Sequence, residues 1–281
     1  MNPVLNQIAS DNNIHLVESN PLSGGDINDV FLLKSHSEKY VVKINRASKF
    51  PGMFKAEALG LHLLKSTESF LIPEVIRQGL VEDTSYILLE YIAPGSPSNS
   101  FWQDFATCLA KLHKKTHSKF GLDHANYIGS LPQYNDLESS PSEFYINQRL
   151  EPQFKIAKSK GFNFSEIDRF YKTIEDEIPI EASSLIHGDL WSGNYLVSSD
   201  GNPVLIDPAV AYAPREMDIS MMHLFGGFPS EVYSFYSDLF PLAENWKQRI
   251  RIWQLYYLLV HLNLFGSGYL SQVNSILKHY S

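Results

Sequence analysis

The sequence predicts an α+β fold of two lobes. A small β-rich lobe with one helix covers residues 1–92, and a larger, mainly helical lobe covers 101–281. Three observations predict it. Apolar runs at 30–33, 40–44 and 86–92 have strand length, and a single segment near 52–66 between them has helical spacing. The stretch APGSPSNS, residues 93–100, is dense in Pro, Gly and Ser and reads as a connector. From 101 onward the apolar period is helical, apart from one short strand pair near residue 200.

Composition narrows what such a chain can do. With 281 residues, 44% of them apolar, it can bury a core in each lobe. A formal charge of −8 and the lack of any Lys/Arg run argue against nucleic acid or an anionic membrane as the main partner, while leaving room for a local basic pocket. The one cysteine, Cys108, excludes an internal disulfide; within FATCLAKLH it sits at helical spacing and reads as a small packed residue. The first residues, MNPVLNQIASDNN, lack the basic-then-apolar pattern of a secretory signal. The longest apolar stretch, 252–265, is broken by Gln254, His261 and Asn263 and is too short to span a bilayer. The expected compartment is the cytoplasm, with no membrane partner.

The chemistry starts at HGDLWSGN, residues 187–194. Two short apolar strands follow, 195–197 and 204–206, joined by SSDGN, whose Asp-Gly is turn chemistry. A hairpin centred between Asp200 and Gly201 places Asn194 opposite Asp207, with Asp189 one loop away. Taken singly, Asp189 and Asn194 are ordinary turn caps and Asp207 an ordinary strand end. Converging, they form a set of hard oxygen ligands suited to Mg²⁺.

Mg²⁺ ligands suggest phosphate, and the β-rich lobe holds candidates for it. LSGGDIND, residues 22–29, places a Gly pair just before a strand, where backbone N–H groups can approach phosphate oxygens; the same pair also suits a plain turn. Lys43 lies in the apolar strand YVVKIN. Glu57 shares the apolar stripe of its helix with Phe54, Leu61 and Leu64. A carboxylate on a buried stripe needs a partner, and Lys43 and Glu57 can satisfy each other, leaving the ammonium facing ATP phosphates; both being exposed is the alternative.

The Gly-rich loop, strand Lys, helix Glu, H-x-D-x-x-x-x-N loop and strand-terminal Asp occur in the order of the protein kinases. The wording SGGDIN, VKIN, FKAEALGL, LIHGDLWSGN, the DPA of LIDPAVAY, and HLFGGF resembles the fructosamine kinase (ketosamine-3-kinase) family, relatives of the aminoglycoside phosphotransferases, over nearly the whole chain. The resemblance implies a protein-kinase-like two-lobed fold and an ATP- and Mg²⁺-dependent kinase of ketosamines, sugars attached to amines by glycation. It implies Asp189 as catalytic base and Asn194 and Asp207 as Mg²⁺ ligands. Lys43 and Glu57 would position the ATP phosphates, with Ser23, Gly24, Gly25, Asp26, Ile27 and Asn28 covering them. The backbone of Glu90, Tyr91 and Ile92 would be the adenine hinge. Trp191 would stack on the sugar or pack in the core. His261 and Asn263 would line the acceptor pocket or be polar core residues bonded to backbone. Asp218 would anchor the catalytic loop.

Two departures bear on the carry-over. Some members have a Cys in the Gly-rich loop, linked to redox-sensitive dimerisation; Asp26 stands there in this chain, so that regulation is expected to be absent. After DPA the family has Gly-His where this chain has Ala213-Pro214, which bears on the loop near the acceptor. Two alternatives stay open at this point. One is a kinase of another small molecule, such as an aminoglycoside, choline or a sugar. The other is a non-catalytic nucleotide-binding module, against which the retention of Asp189 argues.

Overall fold

The structure, a computed structural model, describes residues 2–22 and 27–280. The chain divides into two compact units: Met1–Phe101 with Tyr195–Asp207, and Trp102–Asn194 with Pro208–Ser281.

In the first unit, helix α1 (Pro3–Asp11) begins with Asn2 accepting the Val4 N–H on its side chain and with Pro3 at the first helical position, where a missing N–H costs nothing. The described strands β1 (Glu18–Pro21), β2 (Asp29–Lys34), β3 (Lys39–Arg46), β4 (Val75–Val81) and β5 (Thr84–Glu90) form an antiparallel sheet in the order β1-β2-β3-β5-β4. Leu5 and Ile8 of α1 pack with Leu33, Val42, Ile44 and Leu88. Tyr86 to Leu89 of β5 are buried in succession, the pattern of a strand covered on both faces. Helix α2 (Met53–Ser66) buries Phe54, Leu61 and Leu64.

The hairpin after HGDLWSGN corrects one expectation. Tyr195 pairs with Leu205 and Val197 with Pro203, so the register is one residue away from the expected one and, continued, sets Asn194 opposite Ile206. Ser198 and Asn202 still pair through their backbones, which leaves a three-residue loop ending at Gly201 in the left-handed region (φ +78°). An odd loop of that kind carries a bulge and shifts the pairing by one. Asp207 then departs from the strand with φ +56°, a conformation Asp tolerates better than most residues.

The same hairpin changes the expected boundaries. Leu71 donates to the Pro203 carbonyl and accepts from Leu205 N–H, and Gly95 donates to Val197, so residues 195–207 belong with the first unit and interrupt the expected 101–281 lobe.

The second unit begins at Trp102, one residue into helix α3 (Phe101–His113). Its core is the helix Trp246–Phe265, buried on nearly every side among the helices Glu151–Ser159, Glu216–Leu224 and Leu270–Tyr280. A small sheet of Ala211–Ala213, Ser183–Ile186 and Thr116–His117 leads into HGDLWSGN, and Asn126–Ile128 pairs with Leu131–Gln133. These strands are too short for alternation to register in a sequence that otherwise reads as helical. The helical stretch from Pro141 passes through a π turn at Tyr145–Leu150 just before Pro152. Pro152 has no N–H to offer the Gln148 carbonyl, and Arg149 Nη1 takes it at 3.0 Å. Ala213 is a buried strand residue, and Pro214 precedes the helix Glu216–Leu224, accepting Met217 N–H; the family departure therefore falls at a helix entry, where proline fits. Among the described residues no helix is long and apolar enough to cross a membrane.

Candidate active site

The HGDLWSGN loop grows from the strand Ser183–Ile186 and is fixed by its backbone. Asp218, fully buried on the helix Glu216–Leu224, accepts His187 N–H at 2.7 Å and Gly188 N–H at 2.9 Å. His113 Nε2 lies 3.2 Å from the same carboxylate and Nδ1 lies 2.8 Å from the Tyr236 hydroxyl. The helix is itself held by buried ion pairing: Glu216 accepts from Arg249 Nε at 2.9 Å, Arg249 Nη2 at 2.6 Å and Trp253 Nε1 at 2.8 Å. Asp218 thus plays the anchoring part expected of it. His113 and Tyr236 behind it were missed, since a lone His at a helix end carries no signal of burial.

Gly188 adopts φ +85°, and a Cβ there would overlap the Ala209 carbonyl, whose N–H is bonded to His187 O at 2.9 Å. Gly188→Ala is expected to lose most activity and to lower the thermal midpoint, because both the left-handed φ and the close approach are violated. A thermal melt beside a turnover assay checks both parts.

Within the loop, Asn194 Nδ2 donates to the Asp189 carbonyl at 2.8 Å and to Asp189 Oδ2 at 3.0 Å. Asp189 is half-buried. One amide therefore orients the carboxylate and closes the loop. Trp191 is 38% exposed, and its ring lies over Gly193, where any Cβ would collide with it. The ring also meets Phe225 at 6.4 Å, and Phe225 meets His261 at 4.8 Å. Trp191 and His261 accordingly share one aromatic row, with Tyr269 5.2 Å beyond His261.

Asn263 does not join this row. It is 1% exposed, and its Nδ2 donates to the Gln153 backbone and side-chain carbonyls, both at 2.9 Å. Of the two readings the sequence left open, the contacts match the second: the Asn263 Nδ2 ties Trp246–Phe265 to Glu151–Ser159 as a polar core residue bonded to backbone. His261, partly buried, bonds through Nδ1 to the Tyr257 carbonyl at 2.8 Å and keeps its ring in the aromatic row.

The first unit carries a charged cluster of its own. Lys43, 6% exposed on β3, donates to Glu57 of α2 at 2.7 Å and makes a short ion pair with Asp207. Burial disfavours the ammonium, but Asp207 and Glu57 together outweigh it and hold Lys43 above its ordinary pKa. Burial raises the Glu57 carboxyl above its usual range, with Lys43 pulling the other way. Asn28, at the start of β2, accepts Asn45 Nδ2 at 2.9 Å. Ile27 is described beside it; the expected phosphate-covering residues Ser23, Gly24, Gly25 and Asp26 lie outside the described residues. Glu90 ends β5 with its N–H on the Glu74 carbonyl at 2.9 Å, and Tyr91 and Ile92, half-buried, follow it. Cys108 is a protonated thiol, pushed up to about 11 by burial first.

Burial also holds His113 below its ordinary 6.5, against the opposing pull of Asp218, and it lowers His223 and His261 as well. The unfolded chain therefore binds more protons than the folded one below that value. Stability should be complete above about pH 6.5 and fall as the pH drops from there toward the lowered folded values. Thermal midpoints measured from about pH 8 down to pH 5 check it, and a midpoint that rises on acidification contradicts the assignment.

This architecture is protein-kinase-like: aminoglycoside phosphotransferase APH(4)-Ia superimposes with a TM-score of 0.67 at 14% identity, covering 99% of this chain and 98% of that one. The fructosamine kinase family model matches residues 3–281, and the chain belongs to the fructosamine kinase family. A relative from Enterococcus faecium named "Probable ketoamine kinase" is 39% identical, covering 92% of this chain and 94% of the relative. The chloroplastic protein-ribulosamine 3-kinase of Arabidopsis thaliana is 35% identical, covering 92% and 81%. The crystal structure of a fructosamine-3-kinase candidate from Haemophilus somnus 129PT aligns with a TM-score of 0.89 at 30% identity, covering 98% of this chain and 96% of that one.

Proposed function

We propose that the protein is an ATP-dependent ketosamine 3-kinase that phosphorylates the sugar of a fructosamine or ribulosamine, the first step in removing a glycation adduct from an amine. The observation that carries the reading is the Asp189 carboxylate, oriented by Asn194 on a loop clamped by Asp218. Asp189 accepts the proton of the sugar 3-hydroxyl as its oxygen bonds to the γ-phosphorus. The bond from that phosphorus to the β-phosphate oxygen breaks, and ADP leaves.

Lys43, oriented by Glu57, positions the ATP phosphates, and the backbone of Glu90 to Ile92 receives the adenine. The Asp207 carboxylate and the Asn194 carbonyl oxygen are hard donors that fit Mg²⁺, which takes a carboxylate or two and fills its remaining positions with phosphate and water. A cation held by these residues would neutralise phosphate charge. Trp191 and His261 offer ring faces to the sugar and its protonated amine. The cytoplasm is the proposed compartment.

Purified protein with ATP and Mg²⁺ should consume ATP with synthetic fructosamine or ribulosamine, and not with choline or an aminoglycoside. Turnover confined to either of the latter would replace the ketosamine reading with that of another small-molecule kinase.

A further inference from the structure

The motif HLFGGF, residues 223–228, has no part in the chemistry above, although the second unit sets it directly beside the HGDLWSGN loop. Gly226 and Gly227 both lie in the left-handed region, at φ +73° and +87°, where a residue with a Cβ is strained. Gly227 also seats against the loop, since a Cβ there would come within 2.4 Å of Ser192 Cβ. The turn sends its two phenylalanines to different places. Phe228 packs edge to face with Phe105 at 5.6 Å and Trp102 at 6.0 Å, both on α3. Phe225 lies between the rings of Trp191 at 6.4 Å and His261 at 4.8 Å.

Phe225 is 41% exposed and Trp191 38%, and the row runs on to Phe265, 53% exposed, whose ring is 5.5 Å from that of His261. Single exposed apolar side chains are ordinary, but neighbouring aromatic rings turned to water mark a surface that a ligand covers. The row also has a direction. It starts at Trp191, two residues past Asp189. His261 gives its Nδ1 hydrogen to the Tyr257 carbonyl at 2.8 Å, which leaves Nε2 as the acceptor of a neutral ring, suited to an ammonium N–H. Among the described residues, the ring neighbours of Phe225 and Phe265 are Trp191 and His261, neither of them a carboxylate or an ammonium.

We propose that Phe225 and Phe265 form a specificity subsite for the group carried on the ketosamine nitrogen, and that the group it favours is apolar. The assignment rests on the ketosamine-kinase reading, with the sugar on Trp191 and its amine at His261. A substrate held in that way lays the substituent of its nitrogen along Phe225 and Phe265. The glycine pair then has a purpose: it lets the chain turn tightly enough against Ser192 to set Phe225 beside Trp191.

Two synthetic fructosamines that differ only on nitrogen, one made from methylamine and one from benzylamine, test the subsite. The kcat/KM of the wild type should favour the benzyl compound by about tenfold, as expected for one aromatic contact and its burial. Phe225→Ala should bring that ratio to about one. Phe265→Ala, farther along the row with its ring contact on His261, should lower the ratio as well. A wild type that does not distinguish the two compounds would overturn the subsite and leave the ketosamine reading standing. Variants that lose both compounds in equal proportion would overturn it too, since that is the mark of a displaced Trp191 and not of a lost contact. No turnover of either compound by the wild type would overturn the functional reading, and the subsite with it.

Discussion

Asp189→Asn should lower turnover by about 10²- to 10⁴-fold while leaving nucleotide affinity unchanged. The substitution keeps the size and planarity of the side chain but removes the charge that can accept a proton. It also weakens the Asn194 Nδ2 bond at 3.0 Å from a charge-assisted to a neutral one. The loop itself survives, because its clamp is Asp218 on the His187 and Gly188 amides, and the Asn194 bond to the residue 189 carbonyl at 2.8 Å is independent of the side chain there. Turnover measured beside calorimetric ATP binding separates the two effects. Unchanged turnover would remove Asp189 from the chemistry.

The second large effect is expected at Asp207. Asp207→Ala removes the carboxylate proposed for Mg²⁺ and leaves the buried Lys43 ammonium with Glu57 as its remaining carboxylate partner. Mg²⁺-dependent ATP binding should disappear, and the protein should be destabilised, since stripping one partner from a buried charge is costly and alanine is strained at φ +56°. Asp207→Asn separates these causes. It retains a residue tolerant of that backbone but not the charge, so it should recover only the backbone share of the lost stability and none of the binding. Calorimetry of all three proteins with and without Mg²⁺ provides the check.

How much of this was legible in the sequence depended on whether the signal was local. Lys43 and Glu57 were paired correctly because each breaks an apolar pattern, and two pattern breaks of opposite charge invite each other. The strands 40–44 and 86–92 were readable for the same reason, whereas α1, β1 and β4 were missed. β4 reads VIRQGLV, mostly exposed, and its Gly79 makes room for the Tyr86 ring across the strand, information that exists only once the register is set. The pairing of Asn194 with Asp207 failed by one residue because a turn centred on Asp-Gly does not reveal whether its loop is even or odd. Asn263 sits on a helix that is buried on nearly every side, and only its bonds to Gln153 show that its amide is held in the core.

The hairpin Tyr195–Leu205 also governs how the molecule is made. Leu71 exchanges backbone bonds with Pro203 and Leu205, so the sheet-bearing unit is assembled from two separate pieces of chain. During synthesis its first piece must wait until most of the other unit has left the ribosome before its last strands exist. A fragment ending at the 93–100 connector would expose the Leu71 N–H and carbonyl that the hairpin covers. Its folding should therefore improve when a separate peptide spanning residues 195–207 is supplied.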